Sequence, residues 1–246
     1  MPSSSPPGWY GKLPTLGDFA QRRMDAGFLA AWDAWLAAGL LDLQRRLGAG
    51  WLDAYLASPS WRFVLAPGAL PGAPGTQAWA GVLMPSVDRV GRYFPFSLVL
   101  PLATLPASVE DQRTLWAWLA RLDDLAADAL HEDWTVEQVE DALARMALPA
   151  WAPPPAVDPP GLPAAPGAWR DEPLSAGADI AAHLAHQAQA LWRSQVQGLA
   201  WWHAGGAAQP AGLRISRGLP QPAGVLLGET MPAPAPASAP SSATAP

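Results

Sequence analysis

Ala78-Trp79-Ala80-Gly81-Val82-Leu83-Met84-Pro85-Ser86-Val87-Asp88-Arg89-Val90-Gly91-Arg92-Tyr93-Phe94-Pro95-Phe96-Ser97-Leu98-Val99-Leu100 is the stretch on which the fold turns. Residues 78–83 and 96–100 are apolar runs of strand length, the pattern of buried strands. Between them stand three charges, Asp88, Arg89 and Arg92, with Tyr93 beside them. A connection between such strands needs only Gly, Asn or Asp to turn. The charges exceed that need, which makes this turn the first candidate for a functional surface.

Outward from this stretch, residues 61–65 read as a further strand. The Pro/Gly-rich segment 67–75 separates it from the next, which describes an antiparallel meander. The strand after the charged turn is expected over residues 93–100, where Pro95 marks an edge, a bulge or a late start. Upstream, Phe28, Trp32, Trp35, Leu36, Leu40, Leu43 and Leu47 recur at helical spacing over residues 26–47, and Gly48 and Gly50 close that helix. Residues 50–57 predict a short second helix burying Trp51, Leu52, Tyr55 and Leu56. Residues 8–11 predict a short strand, and 12–18 a loop punctuated by Pro14 and Gly17.

Downstream, a helix over residues 110–130 carries Leu115, Trp118, Leu119, Leu122, Leu125 and Leu130 on one face, with Ser108 as its N-cap. Thr135 and Gln138 form a capping box that opens another helix, to about residue 147. Residues 149–173 are a proline-rich loop expected to run over the surface. Residues 177–195 predict a helix with Ile180, Leu184, Leu191 and Trp192 inward. Residues 198–203 and 212–216 predict a closing hairpin, and 221–228 a last turn of helix. Residues 1–7 read as a flexible lead and 231–246 as a disordered Pro/Ala/Ser tail. The expected fold is α+β, an antiparallel central sheet flanked by helices, in a single main domain over residues 8–230.

Composition narrows the function. Half of the 246 residues are hydrophobic and 15% are charged, and fourteen are tryptophan, which suits a packed core. Cysteine is absent, so disulfides, thiolate metal sites and cysteine nucleophiles are excluded. A net charge of −6 opposes sequence-independent nucleic-acid binding. The first residues lack a secretory pattern, and no apolar run approaches the roughly 20 residues of a membrane span. The expectation is a soluble, cytoplasmic protein with no membrane insertion.

Catalytic signatures are lacking. Gly8-Trp9-Tyr10-Gly11-Lys12 has the wrong spacing for a phosphate loop, and Leu13 stands where Ser or Thr would hold magnesium. There is no G-x-S-x-G elbow. His183 and His186 share a predicted helix face without a third ligand. The neighbours Asp123-Asp124 and Glu140-Asp141 diverge by roughly 100° on a helix, so both pairs read as solvated. Trp116, Trp118, Trp201 and Trp202 read as core residues, with one of the last pair exposed. The chain is therefore expected not to be an enzyme and to need no cofactor or metal.

Lys12, Asp18, Asp88, Arg89 and Arg92, with Tyr93, remain. They lie in loops between apolar elements, where recognition residues are often mounted. Two readings stay open for them: a partner-binding surface, or salt bridges such as Asp18 or Asp88 to Arg92 that brace two loops.

The same residues carry a resemblance. Gly8-Trp9-Tyr10-Gly11-Lys12-Leu13-Pro14-Thr15-Leu16-Gly17-Asp18-Phe19 and the stretch from Met84 to Ser97 resemble the TagF (ImpM-type) family of type VI secretion accessory proteins. Trp32-Asp33-Ala34-Trp35-Leu36, Ser60-Trp61-Arg62-Phe63, and Trp201-Trp202 followed by Gly218-Leu219-Pro220 fit the same pattern. The resemblance implies a cytoplasmic, non-enzymatic regulator that restrains secretion after translation by binding the system's forkhead-associated (FHA) scaffold protein. It favours a partner-binding surface at Lys12, Asp18, Asp88, Arg89, Arg92 and Tyr93. The alternative is a small-ligand or nucleotide sensor whose Lys12, Arg89 and Arg92 grip an anion.

Overall fold

The computed structural model of the chain describes residues 5–72, 75, 77–151, 184, 192, 194–204 and 213–228. Seven strands form one sheet: β1 (Gly8–Gly11), β2 (Ala20–Arg22), β3 (Trp61–Leu65), β4 (Ala78–Met84), β5 (Phe96–Leu102), β6 (Leu199–Ala204) and β7 (Leu213–Arg217). Their order is β2-β1-β5-β4-β3-β6-β7, with every neighbouring pair antiparallel. The meander β3-β4-β5 forms the centre. The N-terminal hairpin adds to one side and the C-terminal hairpin to the other.

Both faces of the sheet are covered. On one face lie α1 (Ala26–Leu47), α2 (Trp51–Leu56) and α5 (Pro222–Leu226), whose Phe28, Trp32, Leu36, Tyr55 and Val225 pack on Phe63, Trp79 and Trp202. On the other lie α3 (Val109–His131) and α4 (Val136–Arg145), whose Leu115, Trp118, Leu122 and Val139 pack on Trp9, Val82, Phe96 and Leu98. Successive strand residues point to opposite faces. Covering both faces therefore requires continuous apolar strands, which explains why β4 and β5 lack polar alternation. The Trp32 indole N–H donates to Ser97 Oγ at 3.0 Å, so a buried polar atom pins α1 to β5.

Local signals placed the helix ends well. Asp25 caps α1 through Phe28 N–H, Ser108 caps α3 through Asp111 N–H, and Thr135 with Gln138 makes the complete capping box of α4. Pro95 gave a late start, because β5 begins at Phe96 and not at residue 93. Strand β2 is an addition to the sequence reading. Its three residues, Ala20-Gln21-Arg22, are too short and too polar to show a strand period, and pairing with β1 alone defines it.

Some expectations need correction. Leu184 and Trp192 are 57% and 39% exposed, so these two members of the expected inward stripe of residues 177–195 do not face the core. Ile180 and Leu191 of that stripe, the loop after residue 151, His183, His186 and the tail after residue 228 lie outside the described residues. Residues 26–56 do form a helical stretch long and apolar enough to cross a membrane by length and composition. Its apolar stripe, however, is the stripe that packs on the sheet, and the stretch holds Asp33, Asp42, Arg45 and Arg46.

Candidate functional site

The charged turn is built from the side chain of Asp88. Its backbone N–H donates to Arg92 O and Gly91 N–H donates to Asp88 O, both at 3.0 Å, closing a tight loop. Asp88 Oδ1 accepts the backbone N–H groups of Val90 at 3.0 Å and Arg92 at 2.9 Å. A short carboxylate reaching backbone two residues on is what favours Asp in turns. Gly91 has φ of 79°, a left-handed conformation that glycine accepts without strain. The Val87–Tyr93 bridge closes the base of the turn.

The other carboxylate oxygen joins this turn to the loop after β1. Asp88 Oδ2 receives Lys12 Nζ at 2.9 Å and Arg92 Nε at 2.8 Å. Arg92 Nη2 also donates to Gly17 O. Arg89 N–H donates to Leu16 O at 2.9 Å, and Ser86 Oγ to Lys12 O at 2.8 Å. Lys12 Nζ also sits 3.9 Å above the Phe19 ring, a cation–π contact in a desolvated place. Burial alone would push the Asp88 carboxyl up. The Lys12 ammonium, with the N–H groups of Arg92 and Val90, outweighs burial and holds it well below the usual carboxylate range.

Tyr55 of α2 supports the turn from below. Its hydroxyl donates to Ser86 O at 3.0 Å and accepts Ser86 N–H at 2.9 Å. Burial pushes this phenol far up, so it stays protonated and can donate. Tyr93 packs edge-on against Trp51 and Tyr55.

The six predicted residues come together in space and then divide. Lys12 and Asp88 are 1% and 4% exposed and form a buried brace. Neither presents a surface, and Lys12 is committed to Asp88. Tyr93 is half-buried. Asp18, Arg89 and Arg92 are exposed, and Asp18 adds only long contacts of 3.9 Å to Lys12 and 3.7 Å to Arg92. The exposed ridge also includes two apolar residues that the sequence reading left out, Val90 and Phe19. Val90 was legible as the tip of the turn, whereas the exposure of Phe19 follows from its loop crossing over Lys12.

The paired acids also differ from expectation. Asp123 is buried and takes Arg62 Nε at 3.0 Å and Nη2 at 2.9 Å on Oδ2, while Asp124 is exposed. Glu140 accepts the Trp9 indole N–H at 2.6 Å and pairs with Arg23, while Asp141 is exposed. One member of each pair is thus engaged with the sheet and the other solvated. Among the described residues no group of three or more His, Asp or Glu side chains could hold a metal ion.

An antiparallel sheet covered on both faces, with two loops locked by a buried Lys–Asp pair under an exposed Arg-bearing turn, defines an α+β domain with a fixed loop ridge. Residues 8–146 match the TagF N-terminal domain, type VI secretion system-associated, and the chain belongs to that family. The crystal structure of PA0076 from Pseudomonas aeruginosa PAO1 is similar over 95% of this chain and 100% of that chain, at 37% sequence identity and a TM-score of 0.67. No curated protein matches the chain.

Proposed function

We propose that this chain is a cytoplasmic, non-enzymatic regulator that restrains a type VI secretion system by covering a surface of its FHA-domain scaffold protein. Family membership supports the accessory role in type VI secretion. The observation that carries the surface is the exposed Arg89-Val90 tip of a turn whose backbone Asp88 has already fixed. A pre-formed turn loses little entropy on binding, and a guanidinium beside an apolar tip suits a protein surface.

The test is recovery of partners from the native host with the tagged chain, compared with an Arg89→Glu/Val90→Ser variant. Reversing Arg92 would be a poor probe, because Arg92 also holds Asp88 and Gly17. Capture of the FHA scaffold by the native chain and its loss in the variant is the expected result. Equal capture by both would remove the ridge as the interface, and absence of the scaffold from both would remove the partner.

A further inference from the structure

A cleft of about 870 Å³ opens between α3 and the sheet, lined by residues other than those of the Arg89-Val90 tip. Pro14 and the segment from Met84 to Val87 form one wall, so the two loops braced by Lys12 and Asp88 shape it from behind. Helix α3 supplies Asp123, Asp124, Leu130 and His131. Arg62 of β3 and His203 of β6, cross-strand partners in register, also line it.

Two residues of this lining each carry a buried polar atom that lacks a hydrogen-bond partner. Among the described residues, five buried side-chain polar atoms are unpaired, and three of them are indole N–H groups of Trp79, Trp118 and Trp202. The other two are Asp123 Oδ1 and His203 Nδ1, both on residues of this cleft. Asp123 is only 5% exposed, and Arg62 places both of its bonds on Oδ2, which leaves Oδ1 without a donor. Buried carboxylate oxygens are rarely left so, and an unpaired one marks a place that an incoming donor would satisfy.

We propose that this cleft receives an arginine side chain carried on a segment of a protein partner, with the guanidinium donating to Asp123 and the stem lying along the apolar wall. Charge selects a cation, because the lining carries two carboxylates, Asp123 and Asp124, and one guanidinium, Arg62. A guanidinium offers five donors in a plane and serves a carboxylate and an imidazole together, which a single ammonium does less well. Leu56, Pro59, Met84, Val87 and Leu130 line the cleft and match an aliphatic stem. The cleft is larger than one side chain, which calls for a segment and not a free amino acid. This site uses none of the ridge residues and stands independently of the regulatory reading.

The test compares two capped pentapeptides on the full chain: one with a central arginine between alanines and terminal leucines, and one with citrulline, its neutral isostere. Binding is read from the ring-proton NMR signals of His203, assigned by their loss in His203→Gln. The arginine peptide is expected to shift those signals and to bind at least tenfold more tightly than the citrulline peptide. Asp124→Asn is expected to weaken it about threefold, and Asp123→Asn tenfold or more. Equal affinity of the two peptides, or unmoved His203 signals at millimolar peptide, would overturn the proposal. The peptide comparison does not use Asp123→Asn, so it decides the matter even if that variant does not fold. Peptide binding retained in Arg89→Glu/Val90→Ser would separate this cleft from the ridge.

Discussion

Lys12 Nζ lies 2.9 Å from Asp88 Oδ2, with both side chains sealed from solvent, and this contact ties together loops 76 residues apart in sequence. The two loops hold the most recognisable motifs of the chain. They are fixed to each other before any partner arrives. The ridge at Arg89 and Val90 and the wall of the cleft at Pro14 and Met84 are outer surfaces of this one braced unit.

Removing the lysine leaves a buried carboxylate short of its best partner. Lys12→Met is expected to destabilise the chain by about 3–5 kcal/mol, the usual consequence of breaking one side of a buried pair. Arg89→Glu, on the exposed side of the same turn, is expected to stay within about 0.5 kcal/mol. Urea denaturation followed by tryptophan fluorescence measures both. A Lys12→Met loss below 1 kcal/mol would mean that the Arg92 bonds alone sustain Asp88.

Acid should loosen the same joint. The Asp88 carboxyl titrates well below the ordinary value in the folded chain, so its contribution is complete above about pH 4 and is lost as pH falls below that toward the folded pKa. Glu140, held low by Arg23 and the Trp9 indole against the opposing effect of burial, adds in the same direction. Denaturation midpoints taken from pH 7 down to pH 3 should fall, and Asp88→Asn should start lower at pH 7 with a shallower acid slope. A slope identical to that of the native chain would show that Asp88 does not drive the acid sensitivity.

Gly11 ends β1 with φ of 134°, and a Cβ placed there would lie 2.1 Å from Pro95 O and 2.9 Å from Phe96 Cα. Both obstacles are backbone and cannot turn aside. Gly11→Ala is therefore expected to cost at least about 2 kcal/mol and to disturb the loop that carries Lys12. A thermal melt unchanged within a degree would contradict this close approach.

Tyr55 is tested by removing one oxygen. Tyr55→Phe leaves Ser86 N–H and C=O without their side-chain partner in a buried place, at a cost of about 1–3 kcal/mol. Amide hydrogen exchange at Ser86 should speed up by a larger factor than at the centre of β4. Unchanged exchange would assign Tyr55 to packing alone.

Much of the architecture is legible in the sequence alone. The apolar runs at 78–83 and 96–100 fixed two central strands, the 3.6-residue stripe fixed α1 from residue 26 to 47, and Ser108 and Thr135 marked helix starts, because these signals lie within a few residues of each other. The candidate site was only half legible. The sequence brought Lys12, Asp88, Arg89 and Arg92 to notice, yet it left open whether they brace the fold or face a partner. Neither burial of a charge nor its counter-charge is encoded locally, since both depend on which strands become neighbours.

The sequence by itself therefore determined the α+β class, the continuous apolar strands of a sheet buried on two faces, and the capped helices that cover it. Local backbone hydrogen bonding and side-chain periodicity are sufficient for that. Only the tertiary structure decided that β1 lies beside β5, so that Lys12 reaches Asp88, and that β6 lies beside β3, so that Arg62, His203 and Asp123 meet at one cleft. Those encounters are set by strand order and register. They are properties of the whole sheet, and no segment of the chain carries them alone.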